Sequence, residues 1–262
     1  MRNTFAAGAL LLCTLVLASP TTVSAQGHIV EAGVRFWKPS PEFVLSTDGL
    51  TGVGLDNVDF VEEFGLEKKT FREFRATVGR SHKFRFSKVS FNYEAEANIQ
   101  KTIVFQGRVF TVGAPATTDV KWDLWTFGYE WDFISRDGGF LGLVTDLKYN
   151  KVVASIESSA LASVAATDVT APVPTIGLIG RAYLGSNGSI TTEFTGLSVS
   201  RKNEDTQFEG KFYDFDIYGT IHLGPNLGVE VGYRSVDAHY LVDGDSGDLK
   251  MKGPYFGGTL RF

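Results

Sequence analysis

The stretch WTFGYEWDF puts Trp125, Phe127, Tyr129, Trp131 and Phe133 on one face of an extended chain, and Thr126, Gly128, Glu130 and Asp132 on the other. This is the two-residue period of a strand; a helix would scatter those rings around its axis. The pattern recurs along the chain. Leu227, Val229, Val231 and Tyr233 oppose Gly228, Glu230, Gly232 and Arg234. Tyr213, Phe215, Ile217, Ile221 and Leu223 oppose Asp214, Asp216, Tyr218, Thr220 and His222, and Val30, Ala32, Val34 and Phe36 oppose Glu31, Gly33 and Arg35. In the final stretch KGPYFGGTLRF, Phe256, Gly258, Leu260 and Phe262 share a face opposite Tyr255, Gly257, Thr259 and Arg261. A chain patterned this way folds as sheet with one apolar and one polar side.

The alternation predicts ten strands, over 28–38, 68–81, 83–100, 119–135, 139–156, 173–185, 189–202, 210–223, 227–242 and 249–262. Eight strands are the alternative, since the short segments near 173–202 can hide a miscounted hairpin. Many of these segments exceed the ~5 to 6 residues usual in soluble sheets and reach the ~9 to 11 that a tilted strand needs to cross a bilayer. Short connections at Ser81-His82, SRDGG, GSNGS and GPN alternate with longer ones at 39–67, 101–118, 157–172, 203–209 and 243–248. Tight turns at one end and long loops at the other are the arrangement of a single closed antiparallel transmembrane β-barrel.

Alternation by itself fits two kinds of barrel. In a soluble ligand-binding barrel the apolar set points inward; in lipid it points outward. The apolar face here carries too many bulky rings to fit inside a barrel of this strand count, and the opposite face is rich in glycine and in charges of both signs. Both features favour the lipid assignment. At the N-terminus, Arg2, the apolar run from Phe5 to Ala18 and the small-residue stretch VSAQ read as a secretory signal peptide, 1–25, cut after Ala25. Residues 26–262 then form one barrel domain. The lone Cys13 leaves with the leader, so disulfides do not support the exported chain. The formal net charge of −5 gives no reason to expect a nucleic-acid partner.

With its leader, paired amphipathic strands and terminal Phe262 on an alternating strand, the chain resembles the bacterial outer-membrane β-barrel proteins, and among them the broad outer-membrane protein beta-barrel domain grouping. The resemblance implies an outer-membrane location, contact with lipid, and an assembly signal read by the barrel assembly machinery at Phe262, with Phe256, Leu260 and Tyr255. It implies no defined activity and no cofactor.

The inward face is expected to carry Glu31, Arg35, Glu73, Arg75, Lys88, Glu94, Glu130, Asp132, Asp146, Lys148, Arg181, Glu193, Asp214, Asp216, Glu230, Arg234 and Arg261. Charges of both signs near balance can pair across the lumen and plug it, or line a narrow pore for small solutes. The function expected is a membrane scaffold or restricted small-solute channel, with a surface-loop binding or adhesion protein as the alternative. An enzyme is not expected. The barrel class includes the omptin proteases, which use Asp and His at the outer rim, and DAHYLVDGDSGD sets Asp237, His239, Asp243 and Asp245 near such a rim, with Asp237 and His239 on one face. No second acidic pair at matching spacing accompanies them, no GxSxG context is present, and His28, His82 and His222 are scattered. The loops 39–67 and SSALASVAATDVTAPVP read as external loop structure.

Overall fold

The computed structural model describes residues 28–46, 57–202, 207–242 and 245–262. The leader assigned to 1–25, the loop segment 47–56 and Asp243 lie outside the described residues. In chain order the elements are β1 (Val30–Trp37), β2 (Ser40–Ser46), β3 (Asn57–Asp59), α1 (Phe60–Phe64), β4 (Phe71–Gly79), β5 (His82–Asn98), β6 (Ile103–Phe105) and β7 (Arg108–Phe110). They continue with β8 (Pro115–Arg136), β9 (Gly139–Ser158), β10 (Ser163–Leu184), β11 (Gly188–Lys202), β12 (Gln207–His222), β13 (Leu227–Val242) and β14 (Asp245–Arg261).

Ten strands, β1, β4, β5 and β8 to β14, form one antiparallel ring, closed by β1 against β14 from Glu31↔Arg261 to Trp37↔Tyr255. The seam is sealed at its lower end by Phe262 N–H donating to Val30 O (2.9 Å) and Val30 N–H donating to Phe262 O (3.0 Å). The eight-strand alternative is therefore set aside: 163–184 and 188–202 are two full strands paired from Ile176↔Gly196 to Leu184↔Gly188. Following cross-strand partners around the ring from Val30 leads through Val78, Phe84, Tyr129, Thr145, Ile176, Gly196, Tyr213 and Asp237 to Lys250, near the far end of β14. Such a displacement is the stagger that closes a barrel of tilted strands.

The expected long loops are largely regular structure. Past Lys38-Pro39, β2 continues the β1 ladder along β14 without a register change, from Lys252↔Ser40 to Ser246↔Ser46. Proline cannot donate to the ladder, so the strand breaks there while Lys38 N–H still reaches Pro254 O at 3.0 Å. Residues 103–110 make the hairpin β6–β7, and β9 and β10 run on to a tight turn at 159–162, which leaves little of the loop expected over 157–172. The short α1 is capped by Asp59, whose side chain accepts from Val61 N–H and Glu62 N–H, and stopped by Gly65 in the left-handed region at φ 66°.

The segments order because they have something to bury. Along β5, Phe84 and Phe86 point out while Lys83 and Arg85 point in; past Lys88 the sense inverts, with Val89, Phe91 and Tyr93 buried inside and Ser90, Asn92 and Glu94 outside. On β8 the same inversion separates outward Phe127, Tyr129 and Trp131 from inward Trp122 and Leu124. The ring therefore has two storeys. In the lower one the outer face is apolar, with Phe84 71%, Val231 64% and Phe256 60% exposed. Tyr129 and Trp131 stand low on this belt, and Trp125, Tyr149, Tyr213 and Tyr233 stand along its top, the girdles expected at the two interfaces of a membrane barrel. In the upper storey the apolar residues are inside, as in a soluble barrel.

Candidate functional site

The lumen is the site that the strands jointly build. In its lower storey, alternate residues of neighbouring strands bring cations and carboxylates face to face. Arg35 Nη1 lies 2.6 Å from Asp216 Oδ2 and its Nε 3.0 Å from Glu230 Oε2, with Glu73 Oε2 at 3.8 Å. Arg234 reaches Glu73 at 2.5 Å and Asp214 at 2.8 Å, and Asp214 also receives Lys148 at 2.5 Å. Arg85 joins Glu193 (2.5 Å) and Glu130 (3.5 Å), and Lys83 joins Glu130 (2.5 Å) and Asp132 (2.7 Å). At the lower mouth Glu31 holds Arg261 at 2.8 Å and Arg181 at 3.6 Å.

Tyrosines tie these pairs together. The Tyr255 hydroxyl donates to Asp216 Oδ1 at 2.6 Å, and the Arg35 guanidinium lies over the rings of Tyr255 (4.3 Å) and Tyr218 (4.5 Å). Arg181 Nη2 donates to the Tyr218 hydroxyl at 3.2 Å. Toward the lower mouth a cavity of about 200 Å³ opens among Arg75, Glu130, Arg181 and Tyr218, and deeper among these side chains remains a void of about 40 Å³, room for a few waters. It is bordered by Arg35, Arg85, Thr126 and Asp146, whose Nη2, Nη1, Oγ1 and Oδ1 atoms have no protein partner. Water in a pocket that small completes a network; it does not make a path.

Above the charges the lumen is filled by aromatic rings. Trp37 meets Phe91 edge-on at 5.4 Å, Phe71 meets Phe91 and Tyr93 at 5.1 Å, and Phe91 leans on Trp122 at 5.5 Å. Phe43, Phe60, Phe64, Phe105 and Phe110 extend this core into β2, α1 and the β6–β7 hairpin. Trp37 sits between the storeys, with Arg234 5.2 Å above one face of its ring and its indole N–H donating to Gly253 O at 3.1 Å. Burial pushes the Tyr93 phenol well above its ordinary pKa, as expected in an apolar core.

The residues expected in the lumen divide cleanly. Glu31, Arg35, Glu73, Arg75, Glu130, Asp132, Arg181, Asp214, Asp216, Glu230 and Arg234 come together there, with Asp146, Lys148, Glu193 and Arg261. Lys88 and Glu94 do not: Lys88 lies outside over the Trp125 ring at 4.1 Å and Glu94 is exposed, because the faces exchange roles at that height. Lys83 and Arg85 were missed, although they alternate with Phe84 and Phe86 in plain view. Phe256, Leu260 and Phe262 are exposed on the outer face, whereas Tyr255 is buried in the lumen. At the rim, Asp237 lies 4.0 Å from Lys250, and His239 Nδ1 lies 3.0 Å from Asp248 Oδ1; the two do not pair with each other. Partial burial raises the Asp237 carboxyl and Lys250 opposes that rise.

No known family profile matches the chain, and no curated protein sequence matches it. The structure of the outer membrane protease OmpT from Escherichia coli is similar, with 9% identity, 94% of this chain and 100% of that chain covered, and a TM-score of 0.59. At that identity the likeness is one of fold. The translocator domain of the autotransporter NalP from Neisseria meningitidis (12% identity, 98% and 97% covered, TM-score 0.43) and the Pseudomonas putida toluene transporter TodX (7%, 95% and 91%, 0.37) align more loosely. The chain is built as outer-membrane β-barrels are: a closed antiparallel ring with an apolar outer belt.

Proposed function

We propose that this protein is a sealed barrel of the outer membrane, placed with its short turns in the periplasm and its upper storey outside, and that it serves as a scaffold presenting that storey. One observation carries the reading: the lumen holds two fillings in series, an ion-pair network below and an aromatic core above. Ten-stranded rings enclose far less lumen than the 16 to 18 strands of open porins, and here side chains occupy it. Planar-bilayer recording tests the reading. The purified, detergent-folded protein is expected to give no stable conductance steps; steady channels whose current changes in Glu230→Gln would make it a small-solute pore instead.

The outward row Phe256, Leu260 and Phe262 lies on the strand that closes the ring. It is the surface expected to be read by the barrel assembly machinery, while Tyr255 contributes to folding from the inside. Deleting Phe262 is expected to lower the fraction of chain recovered in the outer membrane several-fold, with little effect on refolding in detergent. Equal loss in both assays would mean that Phe262 acts through stability and not as a signal.

A further inference from the structure

Lysines at the top of the apolar belt are mostly neutralised locally: Lys151 by Asp168, Lys211 by Glu209 and Lys252 by Glu42. One arc is not. Lys38, Arg72 and Lys88 point outward from the β1–β2 junction, β4 and β5, and have no carboxylate partner among the described residues. Phe36 pairs with Arg72 and Phe74 pairs with Lys88, so each cation sits two residues down-strand from the position facing its neighbour. Cross-strand partners climb in this direction around the tilted ring, and the two-residue steps offset that climb. The three cations therefore stand at nearly one height, with successive Cα atoms about 8 Å apart, from strand spacing and rise. Lys88 is steadied by the Trp125 ring at 4.1 Å.

Beside the arc the outer wall is indented, starting two residues below Lys88 at Phe86 and four below Arg72 at Ala76, and the indentation follows the cross-strand partners Phe127, Leu147 and Pro174 away from it. Ala76, Phe86, Phe127, Thr145, Leu147 and Pro174 line a groove of about 890 Å³ within the belt, where the small side chains of Ala76 and Thr145 interrupt the aromatic surface. A concavity at this level faces hydrocarbon, and its occupant must be apolar and elongated. We propose that arc and groove together bind one phosphate-bearing lipid, the phosphate against Lys38, Arg72 and Lys88 and an acyl chain along the groove. Three unneutralised cations, one of them a guanidinium whose fork matches phosphate, supply the charge complement. The proposal rests on the reading that this belt lies in a bilayer.

Native mass spectrometry of the detergent-folded protein, titrated with phosphatidic acid or phosphatidylcholine, tests it. One phosphatidic acid is expected to be retained at least about ten-fold more strongly than phosphatidylcholine. The triple variant Lys38→Gln, Arg72→Gln, Lys88→Gln is expected to lose between about ten-fold and a hundred-fold of that retention at low salt, from the usual attraction per basic residue. Thr145→Trp, which fills the groove without changing charge, is expected to weaken retention as well. Heat-modifiable migration on gels, run in parallel, reports the folded barrel. Equal retention of the two lipids, or no loss in the triple variant, with heat-modifiability intact, overturns the proposal and leaves the membrane reading standing. Binding of inorganic phosphate by the arc with no preference for lipid also overturns it. A protein that is soluble and monomeric without detergent overturns both.

Discussion

Replacing Arg35 by alanine is expected to destabilise the folded barrel by about 3–5 kcal/mol, the usual cost of removing one partner from a buried ion pair. Arg35 is 1% exposed and lies against three carboxylates and two tyrosine rings. Its loss leaves Asp216 and Glu230 facing each other without the cation between them, and water entering from the void beside them does not supply the missing positive charge. The measurement is urea unfolding of the protein folded into lipid vesicles, followed by tryptophan fluorescence. Adding Glu230→Gln to Arg35→Ala is expected to recover part of the deficit, because it removes one of the stranded charges. If the double variant is as unstable as the sum of the singles, the lumen is wetter than its packing indicates and the network is a set of independent pairs.

Replacing Trp37 by alanine is expected to cost a similar amount, about 3–5 kcal/mol, for a different reason. Trp37 is fully buried where the two storeys meet, so its removal opens a cavity beneath Phe91 and strips Arg234 of the ring it rests on. Trp37→Phe keeps most of the volume and is expected to cost less than half as much, leaving Gly253 O without its indole donor. Because the aromatic filling continues above through Phe91, Trp122 and Phe43, Trp37→Ala is also expected to remain closed in bilayer recordings. Conductance from that single change would mean that the seal is one layer thick at Trp37. The same unfolding series decides the energetic part: equal stability of Trp37→Ala and Trp37→Phe would show that the ring's volume is not what holds the storeys together.

Much of the ring was legible before any coordinates. Ten strands, their order as hairpins and the lumen side of Arg35, Asp214 and Arg234 follow from alternation, since a strand sends successive side chains to opposite faces whatever surrounds it. The upper storey was less legible. The segment SSALASVAATDVTAPVP is small and bland, and it extends as strand only because β9 offers it a ladder from Ser163↔Ser158 onward and Ala165 finds the core. Lys88 and Glu94 were placed inside by assuming that polar residues face the lumen at every height; along β5 the odd-numbered side chains point in throughout, and it is the polarity of the two faces that reverses above Phe86. That reversal was visible as FRFSKVSFNY, where aromatic residues pass from even to odd positions between Phe86 and Phe91 without a bulge. It is read correctly only by allowing one strand to serve two solvents.

What the amino-acid sequence determined by itself is local and periodic: strand, turn, and which residues travel together on one face. Which face looks inward at a given height, which carboxylate meets which guanidinium across the lumen, and the fact that β2 and the β6–β7 hairpin close the upper storey were decided by ring closure. Those contacts join residues as far apart as Arg35 and Glu230, and no period in the chain encodes them. They exist because a staggered ten-strand ring brings its walls within reach of one another, and burial then leaves the charges only one another as partners.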